Sequence, residues 1–263
     1  TNALIDGARR WNRRISVHLK TDTGMGRLGL APEETFKLSQ AISKMPEIEV
    51  CGLYTHFPVS DVSHHPFTSS QIKAFRGLIG QMKAAGLSPG LCHCANSGAI
   101  INHADSFMDM VRPGILCYGL YPTDQHPEGL TVTPAMTLKT AVMFVKRVKK
   151  GTGLSYGLTY RAPEDTYIAT LPVGYADGFP RILSNRARVT IEGRTYPVVG
   201  RICMDQCLVD LGNDLYPVGQ EVTVFGRDGI TAETVASWGG TIPYEITCDM
   251  SRRVPRTYSN DRE

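Results

Sequence analysis

Apolar positions in the first half of the chain fall into short runs separated by stretches of helical period. Strands are predicted at 15–19, 50–54, 91–94 and 110–117. Between the first two, Leu38, Ala41, Ile42 and Met45 recur at i, i+3, i+4 and i+7, behind a Pro32 suited to a first helical turn. Between the next two, Thr68-Ser-Ser-Gln71 reads as a capping box, Ile72, Phe75, Ile79 and Met82 form one face, and Gly86 suits the stop. Strand–helix–strand repetition with short loops predicts a parallel sheet with right-handed crossovers. About four such units are counted, half of what closes a (β/α)8 barrel.

Beyond Thr131 the texture changes. Met136, Leu138, Val142 and Phe144 alternate with more polar neighbours, and short apolar runs at 167–171, 188–191, 196–199, 207–209 and 221–225 are separated by Gly, Asp, Asn and Pro. That is the pattern of a mostly β domain. The reading therefore gives an α/β domain at 1–131 and a mostly β domain at 132–263. The opening stretch Thr1–Asp6 reads as the tail of a helix, which points to a fragment of something longer.

Composition narrows the class. Hydrophobic residues are 42% and charged residues 20% of 263, the range of a soluble globular protein. A formal charge of +3, from 28 basic and 25 acidic residues, is too even to argue for nucleic acid or an anionic membrane. No 18-residue apolar run and no signal-peptide pattern occurs, so a cytoplasmic protein is expected. The seven cysteines are odd in number and fit no zinc spacing, so buried free thiols and no metal are expected.

Four polar clusters follow the four predicted strands: Lys20-Thr-Asp-Thr-Gly-Met-Gly-Arg27, Thr55-His56, Ala95-Asn96-Ser97 and Arg112-Pro-Gly114. Residues just beyond parallel strand ends share one mouth, where α/β barrels do their chemistry. Asn96, Ser97 and Gly114 suit a phosphate, which hydroxyls and free backbone N–H groups hold well. Taken singly, each cluster reads equally well as ordinary loop.

The motifs VHLKTDTGMGRLGL, GLYTHF, HCANSGAI, VRPGILCYGLYP, LSYGLTY, LPVGYADGFPR, VVGRICMDQ and TIPYEITCDMSRRVPR resemble the alanine racemase family in order and spacing. The resemblance runs from about Ser16 to Arg256. It implies a pyridoxal 5'-phosphate (PLP) enzyme that interconverts L- and D-alanine by two-base proton transfer, supplying D-alanine for peptidoglycan. It also implies a homodimer with shared active sites. By the same resemblance Tyr156 is the base on one face of the substrate, and Arg112 faces the pyridine nitrogen with His56 beside it. Asn96, Ser97, Gly114, Ile115 and Tyr244 hold the cofactor. Arg27 and the Met204 N–H contact the substrate carboxylate, and Tyr175 completes the entrance. Lys20 matches a lysine that is often carbamylated, while Asp177 and Asp205 orient loops. Without the resemblance, Tyr156 reads as a core tyrosine, His56 as a structural histidine and Tyr244 as a packed β-domain aromatic.

One departure matters. The family forms its Schiff base with a lysine in a Lys-x-Asn-Ala-Tyr-Gly context on the first barrel strand, and no such context occurs in this sequence. The expectation is therefore the C-terminal half of a (β/α)8 PLP-binding barrel followed by the β domain, with the N-terminal barrel half missing. Two alternatives stay open: a serine or broader amino-acid racemase, and a non-catalytic half that pairs with a separate lysine-bearing segment.

Overall fold

The computed structural model describes residues 2–123, 127–227 and 229–259. It divides into two units, Thr1–Cys117 with Gln125–Leu130, and Tyr118–Asp124 with Thr131–Glu263.

The first unit runs α1 (Asn2–Trp11), β1 (Ile15–Lys20), α2 (Pro32–Ile42), β2 (Ile48–Tyr54), α3 (Pro66–Ala84), β3 (Leu91–His93) and α4 (Ser97–Asn102). The strands form one parallel sheet in the order β1-β2-β3. Its core joins Leu19, Leu53 and Cys92 of the sheet to Ile42, Phe75 and Met82 of the helices. Several expectations need correction here. The predicted strand at 110–117 does not form: Met110 makes one parallel bridge to His93, and the chain then enters a 3-10 turn at Gly114–Tyr118. Pro113 has no N–H to give a ladder, and Gly114 sits at φ +47, so neither residue continues a strand. The capping box is also absent. Pro66 starts α3 earlier, with the His65 ring accepting from the Phe67 N–H at 3.2 Å, and Thr68 and Gln71 are buried inside the helix. On α2, Thr35, Ser39 and Ile42 are the buried face, while Ala41 is exposed. The stop at Gly86 holds: at φ +71 it lets the Leu87 N–H reach back to the Met82 carbonyl at 2.9 Å.

The second unit contains β4 (Leu138–Ala141), β5 (Phe144–Val148), β6 (Gly153–Leu154), β7 (Tyr160–Arg161), β8 (Thr166–Leu171), β9 (Arg188–Ile191), β10 (Arg194–Val199), β11 (Cys207–Gly212) and β12 (Glu221–Phe225), then α5 (Ala232–Gly239) and α6 (Pro243–Cys248). Seven strands form an antiparallel sheet in the order β4-β12-β9-β10-β11-β8-β5, and β6 and β7 pair separately. The β9–β10 hairpin turns on Glu192 and Gly193, both at positive φ, as a two-residue turn requires. Alternating Val189, Ile191, Val198, Val209, Leu211, Val222 and Val224 fill the interior. Residues 118–123 pack with this unit: the Tyr118 carbonyl accepts from the Ala135 N–H at 2.9 Å, and the Tyr121 hydroxyl accepts from the Val132 N–H at 3.3 Å.

All seven thiols are free, but only Cys92, Cys94 and Cys207 are buried, whereas Cys117 and Cys248 are exposed. Cys117 lies in a 3-10 turn in place of the predicted strand, and Cys248 ends the short helix α6. No helix among the described residues is long and apolar enough to cross a membrane.

Candidate functional site

In the first unit the parallel register sets Lys20, Tyr54 and His93 side by side at the strand ends. The His93 ring stacks on Tyr54 with centroids 5.0 Å apart and planes 6° from parallel. Arg112 follows in the chain. Its backbone N–H is fixed to the Ala95 carbonyl at 2.9 Å, and its guanidinium turns inward. Nη1 lies 2.5 Å from His93 Nδ1, while Nη2 donates to the carbonyls of Thr55 at 2.8 Å and Cys94 at 3.3 Å. His56 Nδ1 is 3.4 Å from the same Nη2, and the Tyr54 ring lies 5.5 Å from the guanidinium carbon. Among the described residues no carboxylate forms an ion pair with Arg112.

An unbalanced cation colours its surroundings. Burial, reinforced by the Arg112 charge, pulls His93 down to about 4. Burial followed by Arg112, Arg27 and Lys20 lowers His56 in the same direction. Lys20 is also lowered, first by burial and then by Arg27, with Asp22 opposing. Burial draws Arg112 itself below the ordinary arginine value.

Two loops complete this cluster. The Asp22 carboxylate accepts N–H groups from Gly24 at 2.9 Å, Met25 at 2.8 Å and Gly26 at 2.9 Å, and these bonds depress its pKa. They bend the loop that carries exposed Arg27. After β3, the Asn96 side chain caps α4 by accepting from the Ala99 N–H at 3.1 Å. Ser97 is buried and donates to the Pro113 carbonyl. A Cβ on Gly114 would come within 3.3 Å of the Ser97 hydroxyl, so Asn96, Ser97, Gly114 and buried Ile115 gather at one place.

The second unit brings other residues together. Tyr156 opens a 3-10 turn between Ser155 at φ 59 and Gly157 at φ 73, and the Ser155 hydroxyl clamps that turn to the Arg201 carbonyl at 2.6 Å. Tyr156 is 71% exposed, so within this unit it is not the core tyrosine that the sequence suggests without the resemblance. A cavity of about 600 Å³ is lined by Tyr156, Tyr175, Arg181, Arg201 and Met204, among others. The Tyr175 N–H binds the Cys203 carbonyl at 3.1 Å, and the Ala176 N–H binds that of Met204 at 3.0 Å, which locks the two loops together. Arg253 reaches Asp205 at 2.7 Å and Asp177 at 3.6 Å. Tyr244 lies on the first turn of α6 and does not line that cavity.

Reading the sequence missed His93, Tyr54 and His18. His93 and Tyr54 sit inside motifs already singled out, one residue before the polar clusters or within two of them. Their signal was positional: in parallel strands, residues paired at the last register point the same way.

Residues 1–122 match the family model described as the alanine racemase N-terminal domain, and residues 135–258 match that of the C-terminal domain. The expectation of a barrel represented by its C-terminal half, with its N-terminal half missing, is not supported, because the first 122 residues match the model of the N-terminal domain itself. Alanine racemases of Desulforamulus reducens and Chlorobaculum tepidum are 46% and 48% identical to this chain, over 94% and 93% of it. Those matches cover 67% and 64% of the relatives' own lengths, so the chain spans about two-thirds of them. The solved alanine racemase from Streptomyces coelicolor A3(2) superimposes with a TM-score of 0.94 at 37% identity, over 99% of this chain and 70% of that one.

Proposed function

The chain belongs to the alanine racemase family, and on that premise we propose that it interconverts L- and D-alanine with PLP, supplying D-alanine for peptidoglycan. The observation that carries the reading is Arg112: a half-buried guanidinium that donates to two carbonyls and to His93, with no carboxylate ion-paired to it among the described residues. Such a cation suits a neutral heteroaromatic nitrogen, and the Ser97–Gly114 cradle suits a phosphate, so the residues fit this cofactor. Bound PLP supplies an electron sink that acidifies the α-hydrogen of an amino acid. Arg112 would hold the ring nitrogen and disfavour a proton there, which would limit side reactions. Asn96, Ser97, Gly114, Ile115 and Tyr244 would hold the phosphate end, with His56 beside the ring. Arg27 and the Met204 N–H orient the substrate carboxylate, with Tyr175 at the entrance.

Tyr156 Oη moves the α-proton on one face of the substrate, in a homodimer whose active sites are shared. Lys20 is positioned as a carbamate. Its lowered pKa leaves more free amine for carbon dioxide, the new N–C bond releases a proton, and the resulting anion sits among the Arg27 and Arg112 charges. The test is direct. With PLP, pure L-alanine should drift toward an equal mixture of enantiomers on a chiral column, with α-deuterium gained in D2O. No D-alanine and no deuterium uptake would refute the proposal.

A further inference from the structure

Strands β1 and β3 are not neighbours, because β2 runs between them. Even so, His18 Nδ1 on β1 lies 2.8 Å from His93 Nε2 on β3. Adjacent strands stand ~4.8 Å apart, so these imidazoles meet across roughly 10 Å of sheet. The register explains how. His18 pairs with Gly52, and Gly52 pairs with Leu91, one row below His93. A Cβ on Gly52 would collide with the His18 ring at Nδ1. The ring therefore lies over bare β2 backbone and leans toward the next row. Gly52 is not among the positive-φ glycines, so it is the space and not the backbone that demands glycine here.

Hydrogen-bond chemistry then fixes a direction. A guanidinium only donates, so His93 Nδ1 must accept from Arg112. Neutral His93 carries its proton on Nε2 and donates it to His18 Nδ1, which leaves the His18 proton on Nε2. We propose that Gly52, His93 and His18 form a one-way relay that fixes the Arg112 guanidinium, with His18 as its outer positioning residue. Protonating His93 would turn an N–H against Arg112 and break the relay at its centre. The groups facing His93 are His18 from β1, Tyr54 from the adjacent β2 and Arg112 from the following segment. None is a carboxylate that would favour such a charge.

The catalytic consequence rests on the racemase reading, whereas the relay itself does not. Long-range 1H–15N correlation on the 15N-histidine-labelled chain at pH 7 should show His18 and His93 both neutral, with the proton on Nε2. A proton on His93 Nδ1, or a cationic His93, overturns the proposal. Gly52→Ala should displace the His18 ring and erase its Nε2–H signature, and His18→Ala removes the same partner without adding bulk if that variant misfolds. In PLP-loaded protein either change should lower kcat for alanine by about fivefold, the worth of one hydrogen bond, with KM nearly unchanged. His93→Gln, whose amide can accept and donate in the same sense, should restore most of the kcat lost in His93→Phe. Wild-type kcat in both Gly52→Ala and His18→Ala overturns the proposal. If wild type shows the tautomers but no racemisation, the racemase reading fails and the relay stands.

Discussion

Arg112 and Tyr156 are held in contrasting ways. Arg112 is half-buried, its guanidinium bonded to Thr55, Cys94 and His93 on a regular parallel scaffold. Tyr156 projects from a turn that Ser155 precedes and Leu158 ends, both at positive φ, 59° and 46°. Non-glycine residues seldom adopt that region, and each such residue costs ~1–3 kcal/mol. The first arrangement fixes a charge, and the second spends backbone strain to present a phenol. The lesson is that removing the first should damage fold and function together, while removing the second should touch function alone.

Tyr156→Phe tests the second half of that statement and carries the largest expected effect. Losing a general acid–base group costs ~10²–10⁴-fold in rate. The loss should fall mainly on one direction of racemisation, read by separate initial-rate assays from L- and D-alanine. Urea unfolding should be unchanged within ~0.5 kcal/mol, since the hydroxyl is exposed. Equal, mild losses in both directions would remove Tyr156 from its role.

Arg112→Lys probes the first half. A single ammonium cannot reach the three acceptors that the fork satisfies, so at least one buried carbonyl or ring nitrogen is left unpaired. The chain should lose about 1–3 kcal/mol in urea unfolding along with most of its turnover. A lysine variant of full stability would show that the grip on Arg112 is incidental.

Acid should loosen the same site. The folded pKa of His93, about 4, lies below its ordinary value of 6.5. The unfolded chain therefore binds more protons between those values, and stability falls as pH drops through that window. The stabilisation is complete above about pH 6.5 and declines by up to ~1.4 kcal/mol per pH unit toward 4. Between pH 7 and 5, wild type should lose more urea stability than His93→Gln. Equal losses would place the acid sensitivity elsewhere.

Much of this was legible beforehand. Periodicity located β1, β2, both long helices and most β-domain strands, because those elements bury one face each. It failed at 110–117, where apolar composition outlasted strand geometry and the Pro113-Gly114 pair decided the outcome. It failed at α3, where Pro66 set the start and the Thr68–Gln71 signal lay inside the helix. At the site, His56, Asn96 and Ser97 were found because each follows a strand, and Arg112 because it heads the Pro-Gly cluster, although the strand predicted there is only a single bridge at Met110. His18 escaped, since its meaning depends on Gly52 being empty on a neighbouring strand, and no local window contains that fact.

The smallest expected effect isolates the strain beside Tyr156. Ser155, at φ 59 and ψ −176, occupies a region suited almost only to glycine. Ser155→Gly relieves ~1–3 kcal/mol of strain, but it forfeits the hydroxyl bond to the Arg201 carbonyl, worth ~0.5–1.5 kcal/mol. Glycine also frees the unfolded chain by ~0.5–1 kcal/mol relative to a residue with a side chain. These contributions nearly cancel, so Tm should move by only a few degrees. Turnover need not follow, because the clamp that holds the Tyr156 turn against Arg201 is gone. A few-fold fall in kcat at nearly constant Tm would show that the serine is kept for placement of the phenol. A clear rise in Tm with kcat unchanged would mean that the strain serves no purpose in the reaction, and the contrast between the two regions would then reduce to burial alone.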